Sequence, residues 1–186
     1  MKVMFKVTIR STISRSAVFV VAIMAMSTIW YSELAWSANT VAAAARAGDF
    51  DQSRELISAG ASVNLPEPDG TTALLWAVYH SSHDLMQLLL DSGADPNIAN
   101  GLHITPLLQA SRYGDAEMIQ ALIAHGANLA NTQPGVEPLL MAAARSGSVT
   151  AVRLLLEAGA NPDQSEPVDN QTALMWATAE GHLEVV

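Results

Sequence analysis

Two histidines, His80 and His83, stand three residues apart, the spacing that puts two imidazoles on one helix face and suits a transition metal. They straddle a Ser81-Ser82 turn instead, and no third ligand stands at a matching spacing. The five histidines of the chain never recur in phase, so they are expected on the surface and not around a metal. The carboxylates Asp49, Asp84, Asp115 and Glu117 fall at turns and helix starts. A negative charge there is stabilised by the free N–H groups of the first turn. They do not form the paired carboxylates in a cleft that acid–base catalysis needs. Gly-x-Ser-x-Gly, the glycine-rich phosphate loop and His-Glu-x-x-His do not occur. Cysteine is absent, which removes disulfides, thiol catalysis and Cys-ligated zinc. The expectation is a protein that is not an enzyme and holds no cofactor or metal.

The elements that carry these residues repeat. Gly60-Ala61, Gly93-Ala94, Gly126-Ala127 and Gly159-Ala160 follow one another at intervals of 33 residues. Thr72-Ala73-Leu74 and Thr105-Pro106-Leu107 keep the same period, and Thr172-Ala173-Leu174 follows after a slightly longer gap. A unit of this length cannot bury its own apolar face and must stack on its neighbours. The chain is therefore expected to be a solenoid that works through an extended surface. Thr at a helix start caps free N–H groups, and Pro at the first helical position gives up no needed donor. Gly48, Gly114, Gly147 and Gly181 sit where a tight inter-helix turn wants positive φ, a place that Ser81 takes in the second unit. Gly93, Gly126 and Gly159 fit helix C-termini. Second helices are marked by apolar residues at helical spacing: Leu85, Met86 and Leu88–Leu90, then Met118, Ile119, Leu122 and Ile123, then Val149, Val152 and Leu154–Leu156.

From residue 39 onward these landmarks resemble the ankyrin repeat family, whose pattern is Gly-x-Thr-Pro-Leu-His-x-Ala-Ala, Gly-His, an apolar helix and Gly-Ala-Asp/Asn. Asp69-Gly70-Thr71-Thr72-Ala73-Leu74-Leu75-Trp76-Ala77 carries the resemblance, as do Thr105-Pro106-Leu107 and Asn170-Gln171-Thr172-Ala173-Leu174. It implies an all-α solenoid of stacked helix-turn-helix units with protruding loops. The expected units are a capping repeat at 39–64, complete repeats at 72–97, 105–130 and 138–163, and a truncated one at 172–186. The first unit lacks the Thr-Pro-Leu start. The family His is replaced by Leu75, Leu108 and Met175, where apolar packing is expected to substitute. In the fourth repeat an ungapped register puts Pro138 at the Thr position, and it is preferred because a helix insertion rotates the apolar face by about 100°. The fifth repeat stops at Val186, on an apolar pattern about one turn into its second helix, as in a truncated product or fragment.

The resemblance also implies a partner-binding surface of loop tips and the concave side of the first helices. The variable pairs there are Tyr79-His80, Arg112-Tyr113, Arg145-Ser146 and Ala179-Glu180. The loop tips add Glu67, Asp69, Asn100, Leu102, His103, Gln133, Val136, Glu166, Val168 and Asp169. Tyr and Arg offer large contact area and directional polar groups, as protein recognition requires. Trp76 and Trp176 occupy equivalent slots that are usually packing positions in the family.

Residues 1–37 differ from the rest. They hold Lys2, Lys6, Arg10 and Arg15 against Glu33, a charge of +3, which leaves −12 on the remainder of a chain whose net charge is −9. A basic, Ser/Thr-rich start runs into the apolar Ala17–Met26 segment of 10 residues, too short to span a membrane core of about 30 Å. Small residues at Ala35 and Ser37 then fit a secretory signal peptide cleaved after Ser37, the alternative being an uncleaved membrane anchor extended to Tyr31. Export to a periplasm or the exterior is expected, with only transient membrane contact. The acidic body disfavours phosphate binding, so nucleic acid is not an expected partner. The leading reading is an exported protein-interaction module. The alternatives are the targeting part of a longer enzyme and a self-associating array.

Overall fold

The computed structural model describes residues 40–130 and 135–186, and the signal-peptide segment lies outside them. Among the described residues there are nine helices: α1 Val41–Ala47, α2 Phe50–Ser58, α3 Ala73–Tyr79, α4 His83–Asp91, α5 Pro106–Tyr113, α6 Ala116–Ala124, α7 Leu139–Ser146, α8 Val149–Glu157 and α9 Ala173–Ala179. They alternate as first and second helices of successive units. First helices pack on first helices, α1 to α3 to α5 to α7 to α9, and second helices pack on second helices, α2 to α4 to α6 to α8. None of these helices is long and apolar enough to cross a membrane.

Short helices of this kind need defined ends. Thr72 and Thr105 cap α3 and α5 by accepting from Leu75 N (3.3 Å) and Leu108 N (3.2 Å), and Pro106 opens α5. The first unit, expected to lack this start, has it in part: Thr40 caps α1 by accepting from Ala43 N at 3.1 Å. Val41 and Ala42 simply stand where Pro and Leu do elsewhere. Pro138 is the N-cap of α7, as the ungapped register requires, and makes no side-chain cap bond. Thr172 opens α9 without a side-chain cap bond, and an isolated antiparallel bridge joins it to Ser165. Second helices start on Asp49, Asp115 and Ser148, each of which accepts from the third residue of its helix.

The turns between paired helices hold Gly48, Gly114 and Gly147 at φ of +71°, +67° and +76°, and Ser81 takes the same region at +51°. Gly147 is doubly constrained. A Cβ there would lie 2.7 Å from the His182 ring, which packs over the turn and bonds the Arg145 carbonyl through Nε2 at 3.1 Å.

The core is a seam of small and branched residues. Ala45, Ala73, Ala77, Ala110 and Ala142 are fully buried on first helices, which lets adjacent backbones approach closely. Leu89, Leu122 and Leu155, spaced by 33 residues, are buried without residual exposure on second helices. Leu75 and Leu108, in the slots of the family His, are likewise buried, so apolar packing does replace it there. Met175 departs from that expectation: it is 57% exposed on α9. Leu156 is 43% exposed beside its buried neighbour Leu155. After α9, residues 183–185 form turns and not the start of a second helix.

Loop-to-loop bonds tie the units on one side. Asn64 Nδ2 donates to Gly93 O (3.0 Å) and its Oδ1 accepts from Asp95 N (2.8 Å). Asn97 repeats this bridge 33 residues later with Gly126 O and Asn128 N, at 3.1 and 2.7 Å. Ala130 stands at the next step of the period and has no side chain to continue it.

Leu89→Ala and Leu155→Ala each remove a buried isobutyl group from the second-helix seam. Each is expected to lower the unfolding free energy by about 2–5 kcal/mol in denaturant melts. A loss below about 0.5 kcal/mol for either, the size of an ordinary surface change, overturns the assigned helix face.

Candidate protein-binding face

The last turns of the first helices stand one period apart, so residues at that phase line up across the stack. Arg46, Tyr79, Arg112 and Arg145 occupy it at 33-residue steps on α1, α3, α5 and α7. A cation in a last turn also complements the negative end of the helix dipole. Tyr79, Arg112, Tyr113 and Arg145 had been expected on the binding surface, and the structure places them on adjacent helices. Arg46 was missed, although one further step of 33 back from Tyr79 reaches it.

Tyr79 is half-buried. Its ring lies 5.6 Å from that of Trp76, tilted by 48°, and the His80 ring stacks with Trp76 at 6.0 Å. Burial pushes the Tyr79 hydroxyl above its ordinary pKa, and the neighbouring Tyr113 adds to this against the opposing Arg112. Exposed His80 also bonds the Arg46 carbonyl through Nε2 at 3.1 Å. His83 turns to another partner, Asp115 of the next unit, at 3.0 Å. The two histidines therefore serve two inter-unit contacts. Among the described residues no group of three His, Asp or Glu side chains could hold a metal.

The arginines are held by glutamates on the loops. Arg46 Nη1 lies 3.0 Å from Glu67 Oε1, and the other oxygen of Glu67 accepts from Trp76 Nε1 at 2.8 Å. Glu67 is the least exposed of these carboxylates, at 10%. Glu137 sits between two cations: Arg112 Nε at 3.1 Å and Arg145 Nη2 at 3.2 Å. Arg145 also lies over the Trp176 ring, 5.9 Å from its centroid, within cation–π range. Trp76 and Trp176 both pack partly against the core, as expected of their slots, but their polar edges differ. Trp176 Nε1 is buried and meets no hydrogen-bond partner.

Of the loop-tip residues, Asp69, Leu102, His103, Val168 and Asp169 are exposed, Glu67, Asn100, Val136 and Glu166 are half-buried, and Gln133 lies outside the described residues. Asp69 is engaged within its own loop, accepting from Thr71 N at 2.9 Å and from the Thr71 hydroxyl at 2.8 Å. Those bonds hold its carboxyl below the ordinary range, the backbone one foremost. Its carbonyl accepts from Gly101 N of the next tip at 2.7 Å. His103 adopts φ of +60° in a tip closed on Asn100, whose Oδ1 accepts from Leu102 N and Ile104 N. Asp169 N donates to Glu166, whose carboxylate also takes Val168 N at 2.7 Å. The Val168 bond is the main reason that the Glu166 carboxyl is held low. These tips are prearranged by their own side chains, which limits what a partner must order on binding.

Capped first helices, positive-φ turns and a 33-residue seam define a helical repeat protein with an exposed row of side chains. Two family models, both describing ankyrin repeats, match the chain: a three-copy model at residues 107–186 and a many-copy model at residues 41–90 and 74–123. The chain belongs to the ankyrin repeat family. No curated protein matches it. Ankyrin repeats are generally protein–protein interaction modules, and their domains are typically non-catalytic.

Glu67 joins Arg46 of unit one to Trp76 of unit two on this face. Glu67→Ala leaves the half-buried Trp76 N–H without its acceptor, which is expected to cost about 1 kcal/mol. The exposed Arg46 partner adds little to that figure. Faster hydrogen exchange at the Trp76 indole, with a lower denaturant midpoint, is the expected result. Unchanged indole exchange overturns the assigned role.

Proposed function

We propose that the chain is an exported protein-interaction module that grips its partner with the concave row of first-helix ends and loop tips. The single observation that carries this reading is the alignment of Arg46, Tyr79, Arg112 and Arg145 at one phase of the repeat, with Tyr113 beside them and 47% exposed. Large side chains on stacked helices present a continuous surface whose shape is set before binding. Such anchors of Tyr and Arg supply most of the energy in protein interfaces. No reaction chemistry is asked of them, and affinity rests on contact alone.

The test uses the exported compartment as the source of partner. The immobilised chain retains it, mass spectrometry identifies it, and calorimetry on the purified pair follows. Arg112→Gln combined with Tyr113→Ala should weaken the pair at least about tenfold, a loss of about 1.4 kcal/mol. The thermal midpoint should stay nearly unchanged, because both side chains lie outside the core seam. Undiminished affinity moves the interface elsewhere.

Export rests on the sequence of residues 1–37: basic start, 10-residue apolar run, then Ala35-Trp36-Ser37. The mature chain should begin at Ala38, as N-terminal sequencing or intact mass would show. A protein recovered with Met1 in place overturns the proposal.

A further inference from the structure

The repeat supplies its own internal comparison. Arg46, Glu67 and Trp76 correspond to Arg145, Glu166 and Trp176: the two arginines are 99 residues apart, as are the two glutamates, and the tryptophans are 100 apart. In the first set a loop carboxylate joins guanidinium to indole N–H, at 3.0 and 2.8 Å. In the second set the loop has one residue more. It closes the same way, Glu166 N donating to Gln171 O as Glu67 N donates to Thr71 O, and Asn170 (φ +53°) takes the positive-φ place of Gly70 (+84°), so the extra residue lies between Glu166 and Asp169. Glu166 spends its oxygens on the amides of Val168, Asp169 and Gln171. In the earlier loop Asp69 bonds the Thr71 amide, and Glu67 reaches the tryptophan instead. Arg145 turns to Glu137, and Trp176 Nε1 is left buried with no acceptor.

The arrangement borders a groove of about 470 Å³ between α7 and α9, lined by Val136, Met141, Arg145, Glu166, Val168 and Trp176 among others. Arg145 is the one cation that lines it, beside the carboxylates Glu137, Glu166 and Asp169. Arg145 pairs with Glu137, and Glu166 is held by loop amides. The orphaned Trp176 N–H wants an acceptor, and a carboxylate makes the stronger, charge-assisted bond, as Glu67 does with Trp76.

We propose that this groove is a carboxylate-binding site, in which Arg145 and the Trp176 N–H receive a glutamate side chain from an extended partner segment. The occupant is a glutamate because Glu67 already fills the equivalent place from within the chain. Val136, Met141 and Val168 offer apolar contact to the residues flanking it. Trp176 Nε1 is shielded from solvent, so the carboxylate reaches it as the 166–170 loop moves outward. This site deepens the interaction reading and rests on it for the nature of the partner.

The test follows the indole N–H resonances of Trp76 and Trp176 in the isotope-labelled full chain, assigned with Trp→Phe variants. The probe is the blocked peptide acetyl-Val-Glu-Leu-Gly-amide, with its glutamine counterpart as control. The Trp176 resonance should move downfield and saturate with the glutamate peptide, while Trp76 stays still. The glutamine peptide and the Arg145→Ala variant should each weaken binding about tenfold. A Trp176 resonance unmoved by the glutamate peptide, in the native chain and in Glu166→Gln alike, overturns the site. So does a Trp176 resonance already downfield in the free chain that Glu166→Gln sends back, since Glu166 is then the occupant. If Trp176 is unmoved but partner affinity still falls with Arg112→Gln and Tyr113→Ala, the site fails and the interaction face stands. If Trp176 responds while that pair has no effect, the carboxylate site stands without the wider face.

Discussion

Contact between like helices of successive units is the constraint on which everything else depends. Each first helix is seven or eight residues long, too short to hold together alone in water. It persists because Ala45, Ala77, Ala110 and Ala142 let the next backbone approach and bury the leucines around it. The turn geometry follows from this. The paired helices must reverse within two residues to keep both seams in register, which puts Gly48, Gly114 and Gly147 at positive φ. Gly147 shows how closely turn and seam are joined, because its missing Cβ is the space that the His182 ring of the next unit occupies.

The same constraint explains what was legible in the sequence. Thr72, Thr105, the inter-helix glycines and the leucines at 89, 122 and 155 repeat because backbone and core demand them, so their period gives the fold directly. Thr40 escaped notice because Val41-Ala42 replaces Pro-Leu, though the cap needs only the hydroxyl and a following turn. Met175 was misjudged because composition says nothing of whether a neighbouring helix covers a given side of an apolar stripe. Arg46 was within reach of the period but lay outside the motif that drew attention. Glu67 could not be assigned its role from spacing. Whether a loop carboxylate bonds its own amides or a tryptophan depends on loop geometry, which the 33-residue pattern does not encode.

Loop length therefore has chemical consequences that the core does not register. The additional residue before Thr172 leaves the α7–α9 contact intact, yet it is associated with a different set of bonds for the equivalent glutamate. The loops of units two, three and five all turn back within a few residues. They use Asp69, Asn100 and Glu166 respectively to satisfy their amides. When that task falls to the aspartate two residues on, the glutamate is available to link units. When it falls to the glutamate itself, the link is lost and a donor on the next helix is left over. Variation of this kind is tolerated because a solenoid holds each unit through its seams, and the tips can change without loss of the stack.

Electrostatics then narrows which partners the face can take. The body carries −12, so a partner rich in carboxylates is repelled at long range. That repulsion is screened beyond about 8–10 Å at physiological salt, whereas Arg112 and Arg145 act within hydrogen-bond distance of their acceptors. Three of the five arginines that follow residue 37 stand on the aligned phase, at 46, 112 and 145. Two of them share Glu137 and the third is matched by Glu67. A diffuse acidic surface gains little from guanidinium groups that already have carboxylate partners. A single carboxylate at the correct height on an otherwise apolar segment avoids most of the repulsion and keeps the short contacts. On the proposed interaction reading, the acidic body would disfavour generally acidic proteins, and the aligned arginines would select by position among the rest.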